Sequence, residues 1–245
     1  MSKPLVSVLV PTFNRRPFIR NVMYMFIYQK YQRNKRELII LDDGTDDLSE
    51  IFKEGIPDNI RYIRLDKKMA LSDKRNYLNK EAKGDIIMWW DDDDYYSSDY
   101  INYVVDKFSK SNDLLAGKTS IHTYFVNTGE IYKIGPFHEN HCTNTSLCYK
   151  REYLKNHRYE DDKNSGEEKY FLENYKNPMI QLKNDFIHLS LSHDLNTYNR
   201  EIQKDKNRKY SKTDLKLENI VKDIKCQDFF KGIKPVLVKY KESFK

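Results

Sequence analysis

Ile86-Ile87-Met88-Trp89-Trp90 runs straight into Asp91-Asp92-Asp93-Asp94. Five apolar residues without polar alternation predict a strand buried on both faces, as in a parallel sheet covered by helices. The abrupt change to carboxylates then falls at the C-terminal end of that strand, where open α/β sheets bind their ligands. Four adjacent carboxylates repel one another, and a divalent cation is the usual relief. Oxygen donors suit a hard ion, Mg2+ or Mn2+, with positions left over for phosphate oxygens. Most acidic runs are solvated loops; the position at the end of a buried strand favours the metal.

The same pattern recurs upstream. Leu5-Val6-Ser7-Val8-Leu9-Val10 predicts a strand broken by Pro11-Thr12-Phe13-Asn14, and Pro17 suits the first turn of a helix carrying Met23, Phe26 and Ile27. Leu38 to Leu41 predicts a second strand, ending in Asp42-Asp43-Gly44-Thr45. Ile60 to Leu65 gives a weaker third, and a helix over about 72–83 sets Leu71, Leu78 and Ala82 on one face. Repeated strand–helix units predict a doubly wound α/β domain, with three polar strand ends meeting in one crevice. The second half is less regular. Leu114 to Val126 reads as strand, with a turn at Gly129, and Ser146 to Tyr149 as a short strand before a helix near Arg151. Asp161 to Gly166 reads as a polar loop, Glu167 to Tyr175 as a helix and Phe186 to Leu191 as the final strand. Beyond Asn199 the pattern is helical, with Leu215, Ile220, Val221 and Ile224 as an apolar stripe. Phe229, Phe230, Val236, Leu237 and Val238 are apolar enough to pack back on the domain. There is no internal repeat, P-loop or dinucleotide glycine fingerprint.

A length of 245 residues can bury a core without disulfides or structural metals. With 39% hydrophobic, 33% charged and 13% aromatic residues, the chain is neither collagen-like nor broadly disordered. Its apolar runs fall far below the roughly 20 residues of a membrane-spanning helix, and Met1-Ser2-Lys3-Pro4 leads into a strand rather than a signal-peptide core. Cys142, Cys148 and Cys226, with no Cys-x-x-Cys pair, predict reduced thiols in a cytoplasmic setting rather than a disulfide framework or thiolate zinc site. The net charge of +6 is lopsided: 13 Lys/Arg face 7 Asp/Glu from Glu201 onward, whereas the first 200 residues carry 30 of each. A neutral body with a basic tail predicts one domain over 1–199 and a basic helical extension over 200–245. It argues against a nucleic-acid binder, which needs a broad basic surface. The tail's lysines suit peripheral docking on anionic lipid head groups, a solvated face or an oligomer contact.

Val8 to Arg15, Glu37 to Thr45, Lys74-Arg75-Asn76 before Gly84-Asp85, Trp90 to Asp94, and Ser165-Gly166-Glu167-Glu168 with Phe171-Leu172 resemble, in order and spacing, the GT-A glycosyltransferases of family 2. The resemblance runs from about Leu5 to Leu172 and weakens toward Asn199. It implies a Rossmann-like α/β fold, with a mixed, mainly parallel sheet and helices on both faces. It also implies a nucleotide-sugar donor, usually a UDP-sugar, a Mn2+ or Mg2+ cofactor, and inverting transfer to a hydroxyl of a glycan, lipid-linked or protein-linked acceptor. The nucleotide pocket maps onto Pro11, Thr12, Asn14, Asp43 and Arg75. Asp43 reads the uracil in this mapping, and Arg75 lies near the base and diphosphate. Without the resemblance, Asp42-Asp43-Gly44 is a simple Asx-type turn. The Asp-x-Asp motif falls on Asp91 and Asp93: Asp93 as the direct metal ligand, Asp91 nearer the ribose, with Asp92 or Asp94 in support. His193 resembles a C-terminal histidine directed at the metal or diphosphate; the other five histidines read as structural or surface residues.

The resemblance puts the general base at Glu168, where a helix N-terminus is expected to keep it ionised. Transfer needs a stabilised diphosphate leaving group and a deprotonated acceptor hydroxyl. A cation offsets charge on the first, and a carboxylate takes the proton from the second. Here the chain departs from the family, with Glu in place of the usual Asp. The extra methylene leaves open a shifted acceptor, Glu167 or Asp161 as the working base, a pair that merely opens a surface helix, or a fold that binds without catalysing.

Overall fold

The computed structural model describes residues 3–53, 55–196 and 210–244. In chain order the elements are β1 (Val6–Thr12), α1 (Arg16–Ile27), β2 (Arg36–Asp42), β3 (Ile60–Arg64), α2 (Leu71–Glu81) and β4 (Ile86–Trp89). There follow β5 (Tyr95–Tyr96), α3 (Tyr100–Ser109), β6 (Leu115–Gly117), β7 (Ile121–Phe125), β8 (Glu130–Ile134) and β9 (Cys148–Lys150). The last are α4 (Glu168–Phe171), β10 (Met179–Gln181), β11 (His188–Ser192), β12 (Tyr210–Lys212), α5 (Leu217–Ile220) and α6 (Ile224–Glu242).

β1 explains why the sheet is covered on both sides. Successive strand residues point to opposite faces, so Val6, Val8 and Val10 enter one core with Trp90 and the apolar faces of α1, α3 and α6. Leu9 enters a second core with Trp89, Leu78 of α2, and Phe171 of α4. Each such side chain, fully enclosed, contributes about 1.5–3 kcal/mol. The main sheet runs β10-β6-β9-β4-β1-β2-β3. β1, β2, β3 and β4 are mutually parallel, and β9 is antiparallel between β4 and β6. The register sets Thr12 beside Asp42 and Asp42 beside Arg64, so β1, β2 and β3 stop at one level, while β4 ends three residues earlier with Trp89 beside Leu9. A smaller sheet runs β12-β8-β7-β11-β5, and Asp94, five residues past β4, accepts from Ser190 and Leu191 of its strand β11.

The second half departs from expectation in several places. The stretch Leu114–Val126 is two strands in different sheets, because the chain crosses from one to the other over Lys118–Ser120. Residues 151–155 form a 3-10 turn rather than an α-helix. The helix expected over 167–175 stops at Phe171, and Glu173, Asn174 and Tyr175 take left-handed φ of 48°, 55° and 62°. That reversal returns the chain to β10 beside β6. β11 is not the final strand, since β12 pairs antiparallel with β8 inside the stretch expected to be helical. The residues around 199/200, where the body was expected to give way to the tail, and the tail's first basic residues through Lys209 lie outside the described residues. Ile224 opens α6 at 71% exposure and is not part of the apolar stripe, and Val236 and Val238 also face solvent. The buried face is Leu217, Ile220, Val221, Cys226, Phe230, Ile233 and Leu237, whose helical spacing within α6 is i, i+4, i+7, i+11. This face packs on α1, where Phe229 meets Phe18 edge-on at 6.1 Å and Tyr24 donates to Asp223 at 2.9 Å. All three cysteines are free and buried, and among the described residues no helix is long and apolar enough to cross a membrane.

Candidate active site

A cavity of about 560 Å³ opens at the C-terminal ends of β1 and β4. Pro11, Thr12, Asn14, Arg75, Asp91, Asp92 and Asp93 all line it, joined by Arg15 and Lys74. A second groove, of about 690 Å³, sits at the other end of β4 by Asp85 and Phe108, and among the described residues its carboxylates are those of Asp85 and Glu152.

The floor is built by strand register. β4 ends level with Leu9, and the three residues after it bring Asp92 to Thr12, whose Oγ1 donates to it at 2.5 Å. Asn14 sits at φ 53°, a left-handed conformation that Asn tolerates better than most residues. Its Oδ1 accepts from the Thr45 and Asp46 N–H groups at 2.7 and 3.1 Å, tying the β1–α1 loop to the loop after β2. Gly44 permits this approach, since a Cβ there would lie 2.6 Å from the Asn14 backbone nitrogen. Asp42 is a structural anchor: it accepts from the Gly44 N–H, Tyr62 and Arg64.

Asp43 is enclosed behind Lys74. Its Oδ2 accepts from the Met69 N–H at 2.8 Å, its Oδ1 pairs with Lys74 Nζ, and its side chain has no solvent exposure. Lys74 Nζ also donates to the Thr12 carbonyl at 2.9 Å and lines the cavity, whereas Asp43 does not. Burial lowers the Lys74 pKa, and Asp43 opposes that shift.

The four aspartates divide by partner. Asp94 accepts from Ser190 Oγ (3.0 Å), the Leu191 N–H (2.8 Å) and Thr145 Oγ1, and lies 3.1 Å from His188 Nε2, so it latches β11 to the main sheet and stays off the cavity. Asp93 accepts from Asn196 Nδ2 and faces His193 Nε2, both at 3.0 Å. His193 Nδ1 accepts the Leu195 N–H at 3.1 Å, which leaves the imidazole proton on Nε2 to be donated to Asp93. The ring is also stacked on Phe18 at 4.9 Å. Burial, then Asp94 and Asp93, push the Asp91 pKa well up. Burial and Asp93 push Asp92 up to about 7. Arg15 offsets part of this negative charge, 3.6 Å from Asp92 and 4.0 Å from Asp93. The adjacent carboxylate oxygens of Asp91, Asp92 and Asp93 are a donor set suited to a hard cation. Among the described residues no three His, Cys, Asp or Glu side chains are already gathered as a metal-binding group.

Arg75 links this cluster to the acidic pair beyond it. Its Nε donates to Glu167 Oε1 at 2.9 Å and its guanidinium lies 4.6 Å over Trp89, while Nη1 is buried with no hydrogen-bond partner among the described residues. Burial works to lower the Arg75 pKa, but Glu167 carries it upward. Glu167 Oε1 also accepts from Asn144 Nδ2 at 2.9 Å. Glu168 receives only a 3.3 Å contact from the same amide. A dominant helix N-terminus was expected at Glu168; instead α4 is a single turn, and burial plus the neighbouring Glu167 raise the Glu168 pKa. Asp161 lies on the exposed loop, paired with Arg158.

A model of the family described as glycosyl transferase family 2 matches residues 7–205. The chain belongs to glycosyl transferase family 2. Among solved structures, it is similar to S. aureus TarS 1–349 in complex with UDP, at 18% identity and TM-score 0.62, over 76% of this chain and 60% of that one. TarS 1–349 with UDP-GlcNAc gives 17% and 0.61, over 78% and 59%. The mannosyltransferase PcManGT of Pyrobaculum calidifontis with GDP-Man and Mn2+ gives 16% and 0.55, over 78% and 57%. The chain thus spans about three fifths of the length of these structures, which share its GT-A fold. No curated protein is significantly similar in sequence.

Several residues in or beside the cavity are not marked out by this family 2 sequence. Arg15 and Lys74 lie inside the quoted motifs, but only the folded loops reveal what they pair with. Asn144 sits in the loop Cys142–Thr145, which carries no local signature of its reach to Glu167. Tyr240, Lys241 and Phe244 line the cavity from the last turn of α6 and the residues just after it, far from every motif in sequence.

Proposed function

We propose that this family 2 chain transfers a sugar from a nucleotide-sugar donor, most simply a UDP-sugar, to an acceptor hydroxyl with inversion. The observation that carries the reading is one cavity at the ends of β1 and β4 in which Thr12, Lys74, Arg75 and Asp91–Asp93 meet. Arg15, Lys74 and Arg75 give it the positive charge that a diphosphate needs, and the unpartnered Arg75 Nη1 is a donor in want of an acceptor. Asp93 and Asp91 would hold a divalent ion, with His193 and Asn196 orienting Asp93. When bound, such an ion neutralises charge on a leaving diphosphate.

In the transfer, the acceptor oxygen bonds to the anomeric carbon on the face opposite the diphosphate. The bond from that carbon to the diphosphate oxygen breaks, and the acceptor proton passes to Glu168. Glu168 fits the base role better than Glu167, because Glu167 is ion-paired with the buried Arg75, which makes it the poorer proton acceptor. A carboxylate with a raised pKa is also the stronger base. Asp43 would act through Lys74, which presents its ammonium to the donor in place of the enclosed carboxylate. The basic tail suits an acceptor held at an anionic membrane surface, and a cytoplasmic chain docked there is the arrangement we favour.

A thermal-shift screen of nucleotide-sugars with and without Mn2+ tests the proposal. A donor at a hundred times its Kd stabilises the fold by about 2.7 kcal/mol. Stabilisation by one nucleotide class together with donor turnover supports the reading. Stabilisation without transfer or donor hydrolysis would instead favour a binding protein on the same fold. No stabilisation by any nucleotide would remove the donor site.

A further inference from the structure

We propose that the C-terminal end of α6 is part of the donor site: Tyr240, Lys241 and Phe244 form the wall against which the nucleoside of the donor packs. The inference rests on the reading of the cavity as a donor site and adds a set of residues that the family's shared region does not contain. The family match ends at residue 205, yet these three residues line the same 560 Å³ cavity as Thr12 and Asp91–Asp93.

The wall is held in place from two sides. Phe230, Ile233 and Leu237 bury one face of α6 in the main core. At its far end the Tyr240 hydroxyl donates to Asp46 Oδ2 at 2.8 Å. Asp46 in turn accepts from Arg16 Nε at 2.8 and 3.0 Å, and its backbone N–H is held by Asn14. Asn14 itself lines the cavity floor. The wall and the floor are therefore joined through one residue, Asp46, by its carboxylate to Tyr240 and its backbone N–H to Asn14, so the last turn of α6 is fixed relative to the strand ends rather than resting loosely on them.

The chemistry of the wall matches one kind of ligand. Helical spacing puts positions 240 and 244 on one side, and their rings meet edge-on at 4.9 Å. Phe244 remains 48% exposed, an aromatic surface that a planar base would cover. Phe13 lines the same cavity with the Lys68 ammonium 4.5 Å from its ring centre. Aromatic rings with ammonium groups beside them complement a planar heterocycle joined to an anionic diphosphate, since bases stack on rings and lysines pair with phosphate. An unmodified sugar offers neither feature.

Isothermal titration of the full chain with UDP and with UMP, in the presence of Mn2+, tests the wall. Phe244→Ala is expected to weaken both nucleotides by about tenfold, through lost stacking. Lys241→Gln is expected to weaken UDP several-fold more than UMP, through lost phosphate contact. Val236→Ala, on the exposed face of the same helix and away from the cavity, is expected to bind as the parent does. Melting curves of all three variants should match the parent, because none of the three side chains is buried. Parent-like binding by both Phe244→Ala and Lys241→Gln would overturn the proposal while leaving the donor site standing. Tighter binding by Phe244→Ala would also overturn it, since the ring would then obstruct the donor. If the parent chain itself binds neither nucleotide, nor GDP, the donor reading falls and the wall falls with it.

Discussion

Glu167→Gln and Glu168→Gln are adjacent changes of the same size, and the structure assigns them opposite profiles. Glu167 is the enclosed partner of an enclosed arginine, 2.9 Å from Arg75 Nε. Removing its charge leaves the guanidinium buried without that counterion, and breaking a buried pair in this way costs about 3–5 kcal/mol. For a chain of this size that corresponds to a fall in Tm on the order of 10 °C. Among the described residues, Glu168 has one long side-chain hydrogen bond, 3.3 Å from Asn144 Nδ2, which a Gln oxygen can keep. Burial and Glu167 raise its pKa, so its ionised form is less welcome in the folded chain than in the unfolded one. Its ionisation therefore subtracts stability as pH rises above the unfolded value, and Glu168→Gln should hold or raise Tm at neutral pH. The same variant loses the proton acceptor, worth about 10²- to 10⁴-fold in kcat, or roughly 3–5 kcal/mol of barrier. Scanning calorimetry and donor turnover on the two variants separate the roles. The parent's activity should also fall as pH drops through the raised Glu168 value, and this limb should be missing from any residual Glu168→Gln activity. Parent-like kcat in Glu168→Gln, or an unchanged Tm in Glu167→Gln, would refute the assignment.

Three further outcomes follow from buried contacts. Asp94→Ala removes the acceptor shared by Ser190, Leu191, Thr145 and His188, and should cost about 3 kcal/mol or more in urea unfolding; a loss under 1 kcal/mol would contradict the latch between the sheets. Lys74→Met leaves Asp43 enclosed with the Met69 N–H as its remaining named donor, so the urea midpoint should fall by the equivalent of about 3–5 kcal/mol. Gly44→Ala drives a methyl group to 2.6 Å from Asn14, a clash worth about 1–3 kcal/mol, and should weaken nucleotide binding in a titration as the cavity floor shifts.

The elements that carry the site were legible because physics makes them local. Leu38–Leu41 and Ile86–Trp90 have no polar alternation, which forces burial on both faces and hence a parallel sheet, and the carboxylates that follow must fall at the strand ends. The strands found there, β2 (Arg36–Asp42) and β4 (Ile86–Trp89), differ from the reading by a residue or two. The second sheet was harder to read, because Leu114–Val126 looks uniformly strand-like and only packing decides that the chain changes sheets within it. β12 was missed because Tyr210–Lys212 is short, half polar and set among charges that suit a helix. In the site, the identities of Asp91–Asp93 and Arg75 could be read, but their partners could not. That Lys74 covers Asp43, that Glu167 rather than Glu168 holds Arg75, and that Tyr240 reaches Asp46 are contacts across 31, 92 and 194 residues, which no local spacing encodes.

The most direct measurement is a crystal structure of the chain soaked with UDP and Mn2+, read together with titration of UDP into Asp93→Ala. The account expects the diphosphate beside Asp91–Asp93 and Arg75, an ion on Asp93, and loss of Mn2+-dependent binding in the variant. A nucleotide found elsewhere, such as the groove by Asp85 and Phe108, or unchanged affinity in Asp93→Ala, would contradict it.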